Sequence, residues 1–341
     1  TFIHSMHTEG VAHGPATLFL HCGSTSFIRP SLGSWVTYGL GTENENLPAF
    51  ISLAPLSSSG GARNYGSAFL PAANQGIAIG KDGKFDANAT IRNLGNTDLS
   101  KKEQLRQLQF LQRLNAEQLK GANQDSELEA LISSYELAWR MQNNAPGVLD
   151  LSQETPGTRA MYGIGEKETD NFGRQCLMAR RLCEKGVRFV QVTSGSAGGA
   201  NNWDQHSKLP LHEPQAKAVD KPIAGLLQDL KQRGLLEDTI VWFSGEFGRA
   251  PYAQNNGTGR DHNAGGFTTW LAGNCLKSGF TYGSTDEFGH KAVENKVHMH
   301  DLHATLLYLL GLDHEQLTYR YAGLDFRLTN IHGNVVKDIL A

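Results

Sequence analysis

Apolar positions along this chain fall into two periods, and the alternation between them predicts the element order. Thr239-Ile240-Val241-Trp242-Phe243 is an unbroken apolar run rich in β-branched and aromatic residues. Such a run predicts a parallel strand covered on both faces by helices. Ahead of it, Ile223, Leu226, Leu227 and Leu230 recur at helical spacing, so residues 221–233 read as a helix that Gly234 stops. Residues 267–271 form a second core strand closed by Ala272 and Gly273. Residues 47–53 and 187–192 read as two more.

The helical period returns in several other stretches. Residues 31–41 are a short amphipathic helix ending at Gly41, and residues 169–185 a longer one stopped by Gly186. Pro15 is tolerated in the first turn of a helix, which places His13 or Gly14 at its N-cap. Between residues 98 and 145, leucines at helical spacing follow Ser100, with Glu103 completing a capping box. They predict a helical hairpin inserted between strands and hinged at Gly121-Ala122-Asn123. Residues 304–310 form a helix stopped by Gly311, and residues 335–340 a last one. Just before the first of these, His298 and His300 alternate like strand neighbours on one face. Thr1-Phe2-Ile3-His4 has the look of a strand's end, so the first strand is expected to lie before Thr1. The expected architecture is one α/β domain over residues 1–341, with a mostly parallel central sheet flanked by helices and a helical insertion.

Composition narrows the function. With 341 residues the chain can bury a large core without staples. A net charge of −3, with no Lys/Arg cluster interleaved with aromatics, gives no pull toward nucleic acid. No run of apolar residues is long enough to span a membrane. Cys176 and Cys183 lie seven apart in one helix, about 10 Å along its axis and too far for a disulfide.

The candidate chemistry gathers where strands end. In open α/β sheets ligands collect at the carboxyl ends of strands, and Glu246 stands three residues past the apolar run 239–243. Arg260-Asp261-His262 precedes the next strand, and Asp204 and His206 follow the strand 187–192. Carboxylates with imidazoles suit a divalent metal such as Zn, Mn, Mg or Ca. Arg249 and Arg260 are candidates to neutralise an anion. His13, at a helix start where free N–H groups and the dipole favour negative charge, is a candidate nucleophile. His300 is a further candidate ligand.

Residues 218–248, ending in Ser244-Gly245-Glu246-Phe247-Gly248, resemble the helix and strand of the alkaline phosphatase and sulfatase superfamily, whose strand ends in Ser-Asp-His-Gly or Ser-Asp-Asn-Gly. Asp301-Leu302-His303-Ala304-Thr305-Leu306 resembles that superfamily's Asp-Leu-Ala-Pro-Thr-Leu segment, and His262 has the spacing of its later metal-binding His. His13-Gly14-Pro15-Ala16-Thr17 is similar to the sulfatase helix start, with His13 at the nucleophile's position. Over nearly its whole length the chain resembles a bacterial family catalogued as domain of unknown function 1501, with Gly245–Arg249 and the tail from His298 to Asn334 the most specific parts. The resemblance implies a metal-dependent hydrolase of phosphate or sulfate esters, acting on a small anionic ester or a sulfated glycan. It also implies export to the periplasm or beyond. The alternative is a sulfatase-like protein that binds sulfated or phosphorylated glycans without turnover, since Glu246-Phe247 and His13 depart from the superfamily's residues.

Overall fold

A computed structural model describes residues 1–85, 98–121, 126–195, 203–254 and 257–341. At its centre runs the strand Phe2–His7, which pairs in parallel with Val297–His298 and with Thr281–Tyr282. On its other side it pairs antiparallel with Phe267–Ala272, which pairs antiparallel in turn with Val241–Phe243. This five-stranded sheet is therefore mixed. A second, three-stranded sheet of Ile77–Ile79, Phe50–Leu53 and Phe189–Val192 is wholly parallel.

Two expectations are corrected here. The central sheet is not mostly parallel. Val241–Phe243 is a half-exposed strand at the sheet's edge, antiparallel to its neighbour, rather than a parallel strand buried on both faces. An apolar run reports β-structure and burial of some kind, but it carries no information on the direction of the partner strand. The strand feeding the first helix also lies within the chain, at Phe2–His7, and not before Thr1.

Alternation accounts for how the mixed sheet packs. Ile3 and Leu271 are fully buried while Phe2 and Thr268 face outward, the period of two expected of a strand. The inward side packs against Phe19 and Leu20 of the helix His13–Cys22, Trp35 and Val36 of Leu32–Leu40, and Leu302 and Leu306 of Met299–Leu309. Each fully buried side chain of this size contributes roughly 1.5–3 kcal/mol. Local signals set the helix ends: the Ser31 side chain accepts from the Ser34 N–H, and Gly41 closes the same helix. Gly23 ends His13–Cys22 in a left-handed conformation at φ 63°, open to glycine at no steric penalty.

The other core lies around the parallel sheet and is crossed by helices Asp170–Glu184 and His212–Gln232. Between those helices Arg180, 1% exposed, reaches Glu154 at 2.8 Å, Glu184 at 2.7 Å and Asp229 at 2.9 Å. Tyr162 donates its hydroxyl to Asp229 at 2.9 Å. A buried guanidinium stripped of water is tolerated only with such complete pairing. Helix His212–Gln232 begins nine residues before the expected 221–233 and carries Pro222 in its interior. The helical insertion comprises Lys101–Gly121 and Ser126–Leu149, and the capping box of Ser100 and Glu103 is present. Of the hinge Gly121-Ala122-Asn123, Ala122 and Asn123 lie outside the described residues.

A candidate metal centre between two loops

Three parts of the chain converge on one site. His13 is the first residue of helix His13–Cys22, one position inside the N-cap at Ala12. Glu246 and Arg249 lie just after Val241–Phe243, and the short ladder Gly248–Arg249 with His262–Asn263 sets Arg249 opposite His262. Asp204 and His206 come from the loop that precedes helix His212–Gln232. That loop lies hard against residues 257–260. Thr258 donates its N–H to Ser207 at 3.1 Å and Arg260 its own to Gln205 at 3.1 Å. A Cβ on Gly259 would overlap the backbone of His206 and Ser207, so only glycine lets these two loops approach this closely.

At the centre, His206 Nε2 lies 2.8 Å and His262 Nε2 3.0 Å from Asp204 Oδ1, and the two imidazole nitrogens are 3.1 Å apart. Their outer nitrogens each face an oxygen acceptor. His262 Nδ1 faces the Val11 carbonyl at 2.6 Å, which can only accept, so Nδ1 holds the hydrogen of the neutral ring. His206 Nδ1 faces Gln254 Oε1 at 2.7 Å and is set the same way. As a ligand pair each Nε2 would turn a lone pair toward a shared ion, while a His262 ring carrying hydrogens on both nitrogens donates from Nε2 to Asp204 Oδ1. Two imidazole nitrogens and a carboxylate oxygen within about 3 Å of one another form a donor set that a divalent cation can bridge, beside the Arg249 guanidinium that donates to the same Asp204 oxygen at 2.9 Å. The donor chemistry therefore fits a divalent ion, and the outer partners Val11 and Gln254 orient the rings toward it. His13, Asp204 and His262, and equally His206, Asp261 and His262, are close enough together to hold a metal.

His13 forms a second arm of the site. Its Nδ1 is 2.5 Å from Glu246 Oε1, and its Nε2 is 3.0 Å from Asp204 Oδ2. The hydrogen bond to Glu246 raises the His13 pKa; burial opposes this, and Asp204 adds to it. Burial pushes the Asp204 carboxyl up, but hydrogen bonds from His262, Arg249 and His13 outweigh it and hold the group well below the usual carboxylate range. Glu246 is likewise pushed up by burial and brought below its ordinary value by His13. Phe247 forms an apolar wall, its ring 4.1 Å from that of His262 and 5.2 Å from that of His13.

The sequence-derived candidates thus divide. Asp204, His206 and His262 meet at the centre. Glu246 is given to His13. Asp261 is peripheral: it accepts the His262 N–H at 2.8 Å and stands 3.7 Å from His206 Nδ1. Arg249 is engaged, donating to Asp204 Oδ1 at 2.9 Å and to the carbonyls of Trp203 and Arg260. Arg260 does not join the cluster; its Nη1 donates to Thr258 and Gly259 of its own loop. His300 is elsewhere. It lies in helix Met299–Leu309, 3% exposed, with Nε2 donating to the Gly23 carbonyl at 3.0 Å. The strand-like alternation of His298 and His300 misled because the helix starts at Met299, between them. Gln254 and the Val11 carbonyl were not foreseen. A backbone carbonyl leaves no trace in side-chain pattern, and Gln254 lies in a stretch of Asn and Gly residues with no hydrophobic period to place it.

Residues 1–340 match the family described as a protein of unknown function, DUF1501. No curated protein and no solved structure matches the chain.

Proposed function

The chain belongs to the DUF1501 family, and from that premise we propose that it is a metal-dependent hydrolase of phosphate or sulfate esters, with its ion held by Asp204, His206 and His262. The observation that carries this reading is the convergence of two imidazole nitrogens and a carboxylate oxygen, with outer partners that orient both rings. Two nitrogens and one oxygen suit Zn or Mn better than Ca or Mg, which favour all-oxygen sets. A bound ion would polarise the ester oxygen and lower the pKa of water.

The chain's own groups supply the rest. His13, held between two carboxylates, keeps a proton on each ring nitrogen. A protonated imidazole is no nucleophile, so its role is to hold and deliver a proton to the departing oxygen. Glu246 keeps that ring charged and aligned. The start of helix His13–Cys22 adds backbone N–H groups favourable to an anion. Phe247 keeps water from one side of the two rings.

A second reading, binding of a sulfated glycan without turnover, draws support from Arg249, which already neutralises Asp204 Oδ1. One experiment separates the two. Chelator-stripped protein is reloaded with Zn or Mn and assayed on 4-nitrophenyl phosphate and sulfate, beside His262→Ala. Metal-dependent turnover that falls at least about 100-fold in the variant is expected. Turnover that persists in chelator overturns the metal reading, and glycan binding with no turnover in any metal favours the second.

A further inference from the structure

A cleft of about 520 Å³ is built from the same two loops that carry the cluster, lined by Leu209, Pro210, Glu213, Ala253, Gly257, Thr258 and Arg260. It is an open surface cleft rather than an enclosed pocket, with a volume inside the roughly 300–1,000 Å³ span of small-molecule sites. It is coupled to the cluster through backbone: Arg260 donates its N–H to Gln205, between Asp204 and His206, and Gln254, which touches His206, follows Ala253. Leu209 donates its N–H to Thr258 Oγ1 at 3.2 Å, closing the cleft's wall across the two loops.

The chemistry of the lining is uneven. Leu209, Pro210 and Ala253 are apolar, while the cation on the wall is Arg260. Its Nη1 is tied back to the Thr258 and Gly259 carbonyls at 2.7 and 3.1 Å, which orders the guanidinium. Among the described residues no carboxylate pairs with it, and its Nε and Nη2 hydrogens have no protein acceptor. Glu213 is engaged by Lys217 at 2.7 Å. An ordered planar fork with free donors beside apolar walls is suited to a carboxylate or sulfate carried on a ring.

We propose that this cleft is a specificity pocket for the non-reacting part of the substrate, an apolar ring bearing a second anionic group, with Arg260 as the specificity-determining residue. The role as substrate pocket rests on the hydrolase reading; the selectivity for ring-bound anions does not. The test therefore starts with binding to the whole metal-free chain, using 2-naphthoate and its neutral isostere 2-naphthylmethanol. Amide shifts of Ala253, Gly257 and Thr258 report occupancy. Binding of 2-naphthoate is expected to be at least about 10-fold tighter than that of the alcohol, as for a charged hydrogen bond. Arg260→Met should abolish the preference, Arg260→Lys should keep part of it, and Leu209→Asp, which leaves the guanidinium in place, should weaken the anion selectively. Equal binding of the two probes, no shift at these amides, or an unchanged preference in Arg260→Met overturns the pocket. If the preference is present but the metal-loaded protein hydrolyses no ester, the pocket stands and the hydrolase reading fails.

Discussion

Two groups of histidines in this molecule obey opposite physics. His13, His206 and His262 face carboxylates, and their inner nitrogens converge on Asp204 and Glu246. His7, His298, His300 and His332 instead form a run of neighbouring rings, with centroids 5.0 to 5.3 Å apart, and His303 lies 6.2 Å from His300. His300 and His303 donate Nε2 hydrogens to the Gly23 and Leu20 carbonyls at the end of helix His13–Cys22, leaving each Nδ1 buried without a partner. Burial pushes His298 down to about 4 and His303 to about 3. In the first group the carboxylate partners raise the His13 pKa, whereas in the second burial lowers those of His298, His300 and His303. The lesson is that histidine content and position do not mark a metal site. What sets the candidate site apart is that its inner nitrogens share a carboxylate, whereas the other rings are sealed among carbonyls and neighbouring rings.

The comparison is broken most sharply by removing one member from each group. His262→Ala should lower Zn or Mn affinity by about 1,000-fold or more, roughly 4 kcal/mol by titration calorimetry, while thermal stability changes little. His303→Ala should do the reverse. It leaves the buried Leu20 carbonyl unsatisfied and a small cavity, a loss of about 3 kcal/mol in denaturant unfolding, with metal affinity unchanged. Equal effects of the two substitutions on metal affinity would erase the distinction.

Acid sharpens it further. An unfolded His titrates near 6.5, whereas His298 and His303 in the folded chain titrate near 4 and 3. The unfolded chain thus binds more protons in between. The stability from these neutral rings is complete above pH 6.5 and is lost as pH falls toward 4, by on the order of 3 kcal/mol for each ring. The His13 contribution has the opposite sign: its raised folded pKa gives stability fully present below pH 6.5 and lost as pH rises above that through the folded pKa. Chemical denaturation from pH 8 to 4 with and without His303→Asn checks the acid limb, and an unchanged slope in the variant would contradict it. Smaller effects should come from the cluster's supports. Gly259→Ala forces apart the backbones at His206 and Ser207 and is expected to weaken metal binding with a stability loss of about 2 kcal/mol. Gln254→Leu removes an outer partner and should lower metal affinity about 10- to 100-fold, with the fold intact.

Elements defined by local chemistry were legible in the sequence. Ser31 and Gly41 bound their helix as expected, Ser100 and Glu103 form their box, and the strand Phe267–Ala272 fell where apolar residues predicted it. So was the convergence of Asp204, His206 and His262, because strand ends are where such groups meet in α/β sheets. Sheet direction was not legible: the antiparallel pairing of Val241–Phe243 is decided by which distant strand lies beside it. The place of His300 was hidden for a related reason. Its partner is a backbone carbonyl 277 positions away in sequence, at the end of another helix.

The central claim is that one histidine group holds an ion and the other does not. Metal content per chain, measured after equilibration with Zn or Mn and removal of excess, tests it most directly in the native protein, His262→Ala and His300→Ala. The account predicts bound ion in the native protein and in His300→Ala, and none retained in His262→Ala. An ion retained in His262→Ala but lost from His300→Ala, or no ion in the native protein, would contradict it.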